Sequence, residues 1–240
     1  KLREIHKNYV PKTAISKPVG APGQGQSATR NTQTANALLD SAGWKIGADG
    51  IRTKGSQRLQ FELLLAGPGF QRIAEPYKNN LKKIGVQLDI KVVQVAEYEE
   101  RLRNFKFGMI VANYPQSRSP GNEQRYMWGS EAADTSGTRN YAGIKNPALD
   151  ELIEGIIKAK TRKNLIVQIH ALDRILTHQF YVVPHWYIAY DRAVYWNKFS
   201  RPKINPSQSN IANNLLEWWW WDEQKVQKLK DARSQGKSLQ

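Results

Sequence analysis

The spacing of apolar residues between positions 59 and 112 switches repeatedly between that of strands and that of helices. Residues 59–65 form a nearly continuous apolar run, as expected for a strand covered on both faces. Residues 88–92 alternate apolar and polar side chains, and residues 107–112 (FGMIVA) provide a third apolar segment. Helical spacing separates these three segments, at Phe70, Ile73, Ala74, Tyr77, Leu81 and Ile84, and then at Tyr98, Leu102 and Phe105. The alternation predicts an α/β lobe with a parallel βαβαβ core and flanking helices.

Two further helices are predicted after a polar stretch at 113–145. Asn146 is a suitable N-cap and Pro147 suits the first turn of the first helix. The second helix is expected from about Arg162 to His178. Their apolar stripes comprise Leu149, Leu152, Ile153, Ile156 and Ile157 in the first, and Leu165, Ile169, Leu172 and Leu176 in the second.

The two ends of the chain are patterned differently. Residues 11–30 are rich in Pro, Gly, Ser and Gln and lack apolar periodicity, which indicates a linker or a chain lying over a surface. A short helix is expected to begin near Thr34 and end at Gly43, followed by a hairpin that turns at 49–50. Residues 181–195 indicate two short extended segments, and a polar, basic helix is predicted after the tryptophan run at 218–221.

Composition narrows the function classes. The 240 residues include no cysteine, so disulfides and thiolate metal sites are excluded, and no apolar run approaches the length of a membrane span. Lysine and arginine number 36 against 21 acidic residues, a formal charge of +15. This excess is spread along the chain without a recognisable nucleic-acid-binding motif. A basic nucleic-acid-binding module is therefore retained as an alternative, although no nucleic-acid partner is expected.

The polar segment that follows the third predicted strand is the first candidate for a binding site. Ligands of α/β sheets bind beyond the carboxyl ends of the strands, and this segment mixes amide, hydroxyl, guanidinium and aromatic groups. An ordinary surface loop would have the same composition, so both interpretations stay open. The candidate ligand-binding residues are Asn113, Tyr114, Gln116, Ser117, Arg118, Ser119, Asn122, Glu123, Arg125, Trp128, Arg139, Asn140, Tyr141 and Trp186.

Catalytic and metal chemistry find little support in the sequence. There is no nucleophile elbow, phosphate-binding glycine loop or HExxH motif, and the four histidines lack the spacing of metal ligands. No catalytic residue, metal or cofactor is therefore predicted. An enzyme using Glu123 with the loop arginines is a third hypothesis. Tryptophans such as Trp186 and Trp196 could line an aromatic pocket, although packing in a core or an interface is the usual role of tryptophan.

Several motifs, in order along 36–222, resemble the C-terminal half of the extracellular solute-binding proteins of family 5, which serve ABC importers of oligopeptides. They include LLDSAGW at 38–44, DGIR at 49–52, the strand FELLL, LKKIGVQLDIKVV and FGMIVANY. Within that family the chain is most similar to the YejA-type receptors for oligopeptides and the peptide-nucleotide antibiotic microcin C. The stretches that carry this second likeness are SPGNEQ at 119–124, WGSEAAD at 128–134, GTRNYAGIKNPALDELI at 137–153 and VVPHWY at 182–187.

The resemblance implies a bilobed periplasmic receptor, about twice as long as this chain, that closes on its ligand around a hinge. Residues 1–35 would be a linker and a remnant of lobe I, 36–184 lobe II, and 185–240 a hinge return packing on lobe I. The implied partners are an oligopeptide or peptide-like ligand, the N-terminal half of the receptor, and the permease subunits at the inner membrane. The nearest position to the family's amino-terminus-binding aspartate is Gln116, whose amide cannot pair with an ammonium group.

Overall fold

The computed structural model describes residues 2–17, 20, 23–185, 194–203 and 217–238. The chain divides into two compact units, residues 1–183 and residues 184–240. The helices of the first unit are α1 (Leu2–Ile5), α2 (Thr13–Ser16), α3 (Ala28–Ser41), α4 (Gln71–Lys82), α5 (Val95–Arg103), α6 (Glu123–Trp128), α7 (Pro147–Ile157) and α8 (Arg162–His178). Its strands are β1 (Lys45–Ile46), β2 (Arg52–Lys54), β3 (Gln57–Arg58), β4 (Gln60–Ala66), β5 (Gln87–Val93) and β6 (Met109–Ile110).

The predicted parallel sheet is confirmed. Its strand order is β5-β4-β6, and the central strand β4 runs parallel to both neighbours, with Leu63 opposite Ile90 on one side and Met109 on the other. The strand β6 has only two residues, whereas six were predicted, because only Met109 and Ile110 pair with β4. The three strands therefore end at one edge of the sheet, immediately before residues 67, 94 and 111.

Each face of β4 has a different covering. Leu63 and Leu65 are buried on one face with Ala74 and other apolar residues of α4. Leu64 is fully buried on the opposite face, which also carries Glu62. The Glu62 carboxylate lies 2.5 Å from the guanidinium of Arg101 on α5. The face of β4 that α4 covers is thus apolar, whereas the face toward α5 combines the buried Leu64 with the ion pair of Glu62 and Arg101.

A second core forms around α7 and α8. Asn146 caps α7 by accepting hydrogen bonds from the backbone N–H groups of Ala148 and Leu149, and Pro147 occupies the first turn, as predicted. The apolar stripes of both helices meet in this core. The buried members are Val10, Met127, Trp128, Ile144, Ala148, Leu149, Leu152, Ile153, Ile156, Leu172 and Ile175.

Of the two interpretations of residues 11–30, a linker or a chain lying over a surface, the contacts of residues 13–17 with α8 agree with the second. Residue Val10 is buried in the second core, and the Arg174 guanidinium on α8 donates a 2.7 Å hydrogen bond to the Ala14 carbonyl. The helix α3 begins at Ala28, six residues before the predicted start at Thr34, because the Ser27 hydroxyl caps it by accepting from Arg30 N–H. The first helices expose most of their residues, so they carry no apolar stripe that periodicity could detect.

The predicted hairpin is confirmed and acquires a third strand. Strands β1 and β2 pair antiparallel with Ile46 opposite Arg52, and β3 pairs with β2. The second unit contains β7 (Phe199–Ser200), antiparallel to β8 (Trp220–Trp221), and α9 (Glu223–Ser234), which is the predicted basic terminal helix. Most of the predicted extended segments at 181–195 lie outside the described residues. Among the described helices, none combines the length and apolar character required to cross a membrane.

Candidate functional site

A cavity of about 300 Å³ lies at the carboxyl edge of the parallel sheet. The segment that leaves β6 forms one wall, and α5 contributes Tyr98 and Leu102. The complete lining is Tyr98, Leu102, Ile110, Val111, Ala112, Asn113, Arg139 and Tyr141. The position beyond the end of β6 is the one expected for a ligand site of an α/β sheet. We call this cavity the edge cavity.

Three predicted site residues, Asn113, Arg139 and Tyr141, line the edge cavity, and a hydrogen bond joins the first two. Arg139 donates from Nη2 to the Asn113 carbonyl at 2.5 Å and approaches the Asn113 side-chain oxygen at 3.3 Å. The Tyr141 ring lies 6.2 Å from that of Tyr114. Burial, with a smaller contribution from Tyr141, raises the pKa of Tyr114 to about 12, so its phenol stays protonated at neutral pH. The arrangement offers guanidinium, amide and phenol groups over an apolar wall, which suits a polar organic ligand.

A second cavity of about 390 Å³ lies between the segment 114–128 and α8. We call it the α8 groove. One wall contains the predicted residues Tyr114, Gln116, Ser117, Arg118 and Trp128, together with Pro120 and Gln124. The α8 wall contains Arg162, Leu165, Ile166, Ile169, His170, Leu172, Asp173 and Leu176. Because Tyr114 follows Asn113 directly, the segment after β6 borders both cavities.

An amide network fixes the turn into α6. The buried Gln124 donates a 2.7 Å hydrogen bond to the Gln116 side-chain oxygen and a 3.2 Å bond to Glu123. The Glu123 carboxylate also accepts from Gly121 N–H at 2.9 Å. Partial burial acts to raise the pKa of Glu123, but the hydrogen bonds from Gly121, its own backbone and Gln124 lower it overall. Glu123 is therefore an ionised, exposed carboxylate at neutral pH.

Three predicted site residues make contacts within the fold. Asn140 is 1% exposed, and its amide donates to the carbonyls of Gly129 and Ile144, both at 2.9 Å. Trp128 is 8% exposed and packs in the second core, with its ring 4.4 Å from that of Tyr114. Arg125 donates to the Glu154 carboxylate on α7. Trp128 thus lines the α8 groove from the side of the core, whereas Asn140 and Arg125 lie outside the linings of both cavities.

The remaining predicted site residues lie either at the rim of the α8 groove or away from both cavities. Ser117 accepts a 3.1 Å hydrogen bond from Ser119 N–H, while Arg118 lies in the α8 groove. Asn122 is exposed and accepts a hydrogen bond from Arg125. Trp186 lies outside the described residues. In the described ranges, no three His, Asp or Glu side chains are placed to hold a metal ion together.

Sequence reasoning missed the contribution of α8. Its stripe of leucine and isoleucine residues is typical of a face packed in a core, yet Leu165, Ile169 and Leu176 also line the groove. Arg162, His170 and Asp173 lie on the same wall. The sequence signal that could have revealed the groove is Ile166. This apolar residue lies beside the stripe, on the side of α8 that carries Arg162 and Asp173. Only the position of the 114–128 segment reveals that this side faces a groove.

Residues 4–136 match the profile of the bacterial extracellular solute-binding proteins, family 5 middle region. This match covers more than half of the chain. The chain belongs to the bacterial extracellular solute-binding proteins of family 5. The edge cavity and the α8 groove are therefore features of a solute-binding fold.

Related proteins agree with this membership. The chain is 39% identical over 208 residues to the uncharacterized protein y4wM of Sinorhizobium fredii, covering 85% of this chain and 31% of that protein. It is 36% identical to the probable peptide-binding protein YejA of Agrobacterium fabrum, covering 85% of this chain and 34% of that protein. The chain thus spans about a third of the length of these curated relatives.

A solved structure supports the fold. The oligopeptide-binding protein AppA from Bacillus subtilis, in complex with a nonapeptide, superimposes with a TM-score of 0.57 at 22% identity, covering 72% of this chain and 34% of that one. The similarity confirms the periplasmic-binding-protein-like α/β fold predicted from the sequence. The predicted family, including its YejA-type relatives, is likewise confirmed.

Proposed function

We propose that this chain is the C-terminal part of the substrate-binding component of an ABC importer, which captures oligopeptides or peptide-like compounds and delivers them to a membrane permease. The observation that carries the proposal is the edge cavity, which lies beyond the end of β6 in a chain of the family 5 solute-binding proteins. The naming of a relative as a probable peptide-binding protein supports the peptide class of ligand. The nonapeptide bound to AppA supports it further.

In this proposal the ligand-binding lobe comprises residues 36–184, with residues 2–17 packed against it. Residues 185–240 would return through the hinge to the other lobe, supplied by the rest of the receptor. The large exposed side chains of the second unit support that assignment, since Trp196, Trp220 and Trp221 are each more than half exposed. Exposed aromatic residues in this number are typical of a surface that packs on a partner.

The proposed mechanism is reversible capture without a covalent step. An extended peptide would form backbone hydrogen bonds along the segment after β6, with side chains in the adjacent cavities. Closure of the two lobes would bury the peptide, and the closed form would dock on the permease at the inner membrane. The proposed location is the periplasm of a Gram-negative bacterium. Nothing in the comparisons supports the alternative of a nucleic-acid-binding module.

The test is calorimetry with oligopeptides on the complete receptor that contains this chain, after mass spectrometry of any ligand that copurifies. Arg139→Ala should weaken peptide binding by about tenfold or more, because a charge-assisted donor and the position of Asn113 are both lost. Arg125→Ala is the matched control, since that guanidinium pairs with Glu154 outside both cavities, and its affinity should match that of the wild type.

Three outcomes separate the parts of the proposal. Peptide binding weakened only by Arg139→Ala supports both the function and the edge cavity. Peptide binding unaffected by Arg139→Ala removes the edge cavity as the site and retains the function. Absence of peptide binding, together with salt-dependent binding of an oligonucleotide, would replace the proposed function by the nucleic-acid alternative.

A further inference from the structure

Two tyrosines and one arginine bring hydrogen-bond donors to the edge cavity. Tyr98 lies on α5, and Arg139 and Tyr141 lie on the segment between α6 and α7. In the part of the chain that the structure describes, neither phenol hydroxyl has a hydrogen-bond partner. There, the Arg139 side chain donates through Nη2 to Asn113 and forms no ion pair. The two hydroxyls and the remaining N–H groups of the guanidinium are therefore free to bind a ligand.

The segment that carries Arg139 is fixed to its neighbours. Arg139 N–H donates a 3.1 Å hydrogen bond to the Tyr126 carbonyl. Gly137 N–H donates a 3.0 Å hydrogen bond to the carbonyl of Arg103, the last residue of α5. Asn140, the next residue after Arg139, is 1% exposed. The donors of α5 and of this segment are thus held together before a ligand binds, which lowers the entropic cost of binding.

The lining of the edge cavity carries positive charge. It includes the guanidinium of Arg139 and no carboxylate. Burial, ahead of the neighbouring Tyr141 and Glu99, raises the pKa of Tyr98, so this hydroxyl is protonated at neutral pH. Glu99 itself is exposed and lies outside the lining. Because a guanidinium has only N–H donors and pairs best with a carboxylate, the cavity favours an anionic acceptor over a neutral or cationic group.

The size of the cavity suits a single side chain. Its volume of about 300 Å³ is at the lower end of the range for ligand pockets. An extended peptide of five residues spans up to about 17 Å, so most of such a ligand lies outside the cavity. Leu102, Ile110 and Val111 add an aliphatic wall, on which the methylene groups of a side chain can pack.

We propose that the edge cavity is the pocket for one acidic side chain, aspartate or glutamate, of the bound peptide. The carboxylate accepts hydrogen bonds from Arg139 and from the hydroxyls of Tyr98 and Tyr141, and the methylene groups lie on the aliphatic wall. This inference rests on the proposed function and specifies the side-chain preference of the same site. Arg139 determines the preference for negative charge, and the two tyrosines strengthen it.

The test is calorimetry on the complete receptor with alanine peptides of one fixed length that carry a single variable residue. Glutamate, glutamine, lysine and phenylalanine are placed at each position in turn. The glutamate and glutamine peptides have identical termini, so the ratio of their affinities reports the charge of the side chain alone. At one position, the glutamate peptide should bind about tenfold or more tightly than the glutamine peptide. The lysine and phenylalanine peptides should bind less tightly than the glutamate peptide at that position.

Receptor variants assign the preference to the edge cavity. Arg139→Gln should bring the glutamate-to-glutamine ratio close to one, and Tyr98→Phe and Tyr141→Phe should each lower it severalfold. Arg125→Gln and Tyr126→Phe are the matched controls and should keep the full ratio. Arg125 pairs with a carboxylate of α7, and Tyr126 is 55% exposed outside the lining. Because each ratio compares two peptides on one variant, a variant that is merely less stable does not change it.

The outcomes separate the pocket from the proposed function. Equal affinity for the glutamate and glutamine peptides at every position would overturn the inference and leave peptide binding intact. A preference of the same size at every position would do so too, because it would reflect general attraction to a basic protein. A ratio that persists in Arg139→Gln, or tighter binding of the phenylalanine peptide, would also overturn it. Failure of every peptide to bind, including any copurified ligand, would reject the proposed function itself.

Discussion

At the scale of single residues, buried amides determine the shape of the site. Asn140 donates to two carbonyls and accepts a 2.8 Å hydrogen bond from Ile144 N–H, so its polar atoms are engaged inside the protein. Gln124 similarly connects Gln116 with Glu123. An amide in a polar segment suits either ligand binding or internal hydrogen bonding, so Asn140 is among the residues predicted from the sequence to bind ligand. Burial indicates that its contribution is to stability.

Asn140→Ala should reduce the free energy of unfolding by about 2–4 kcal/mol, because two carbonyls and one N–H group lose their partners in a buried position. Urea denaturation followed by tryptophan fluorescence measures this loss. Asn122→Ala is the matched control, since the Asn122 side chain is exposed, and its midpoint should stay close to that of the wild type. Equal midpoints for the two variants would contradict the structural role of Asn140.

At the scale of elements, one arginine connects parts of the chain that are distant in sequence. Arg52 on β2 is 2% exposed. Its guanidinium donates to Asp40 and Asn36 of α3, to the Trp44 carbonyl and to the Ile84 carbonyl before β5. The hydrogen bond from Arg52, ahead of charge attraction, lowers the pKa of Asp40. The hairpin, α3 and the entry to β5 are thereby joined at one side chain.

Arg52→Lys should lower the free energy of unfolding by about 2–3 kcal/mol, because an ammonium group cannot reproduce the planar set of donors toward four acceptors. The control Arg58→Lys changes an exposed arginine that pairs with Asp49, and it should leave the melting temperature nearly unchanged. Differential scanning calorimetry distinguishes the two. A melting temperature for Arg52→Lys equal to that of Arg58→Lys would show that the buried network contributes little.

Elements differ in how far the sequence predicted them. The helices α7 and α8 agree with prediction to within a residue because each has a capping residue and a continuous apolar stripe. Helix α6 was missed inside a segment read as a loop, since it has only six residues. The strand β6 was predicted too long because apolar composition does not reveal where pairing with β4 stops.

At the scale of the whole molecule, the N-terminal segment is part of the first unit. Val10 is 5% exposed in the second core, and the Asn146 amide that caps α7 also donates to the Tyr9 carbonyl at 3.1 Å. His6 contacts Glu151 of α7 at 2.8 Å. These contacts cross more than 130 positions of sequence, so local patterning gives no indication of them.

Val10→Ala should therefore destabilise the first unit by about 1–3 kcal/mol through the loss of buried methyl groups and the cavity left behind. Ile15→Ala provides the control, because Ile15 is 62% exposed, and its effect should stay within about 0.5 kcal/mol. Chemical denaturation of both variants measures the difference. If Val10→Ala were as stable as Ile15→Ala, the N-terminal segment would contribute no packing energy to the core.

The amino-acid sequence by itself determined the elements whose signals are local: the two capped helices, the βαβαβ order, the family motifs and the absence of cysteine chemistry. The tertiary structure alone decided which polar residues point into cavities, that Asn140 and Trp128 are buried, and that α8 forms the second wall of a groove. The physical reason is that hydrophobic periodicity reports which side of an element is apolar. The partner that covers this side is set by contacts between residues far apart in the chain.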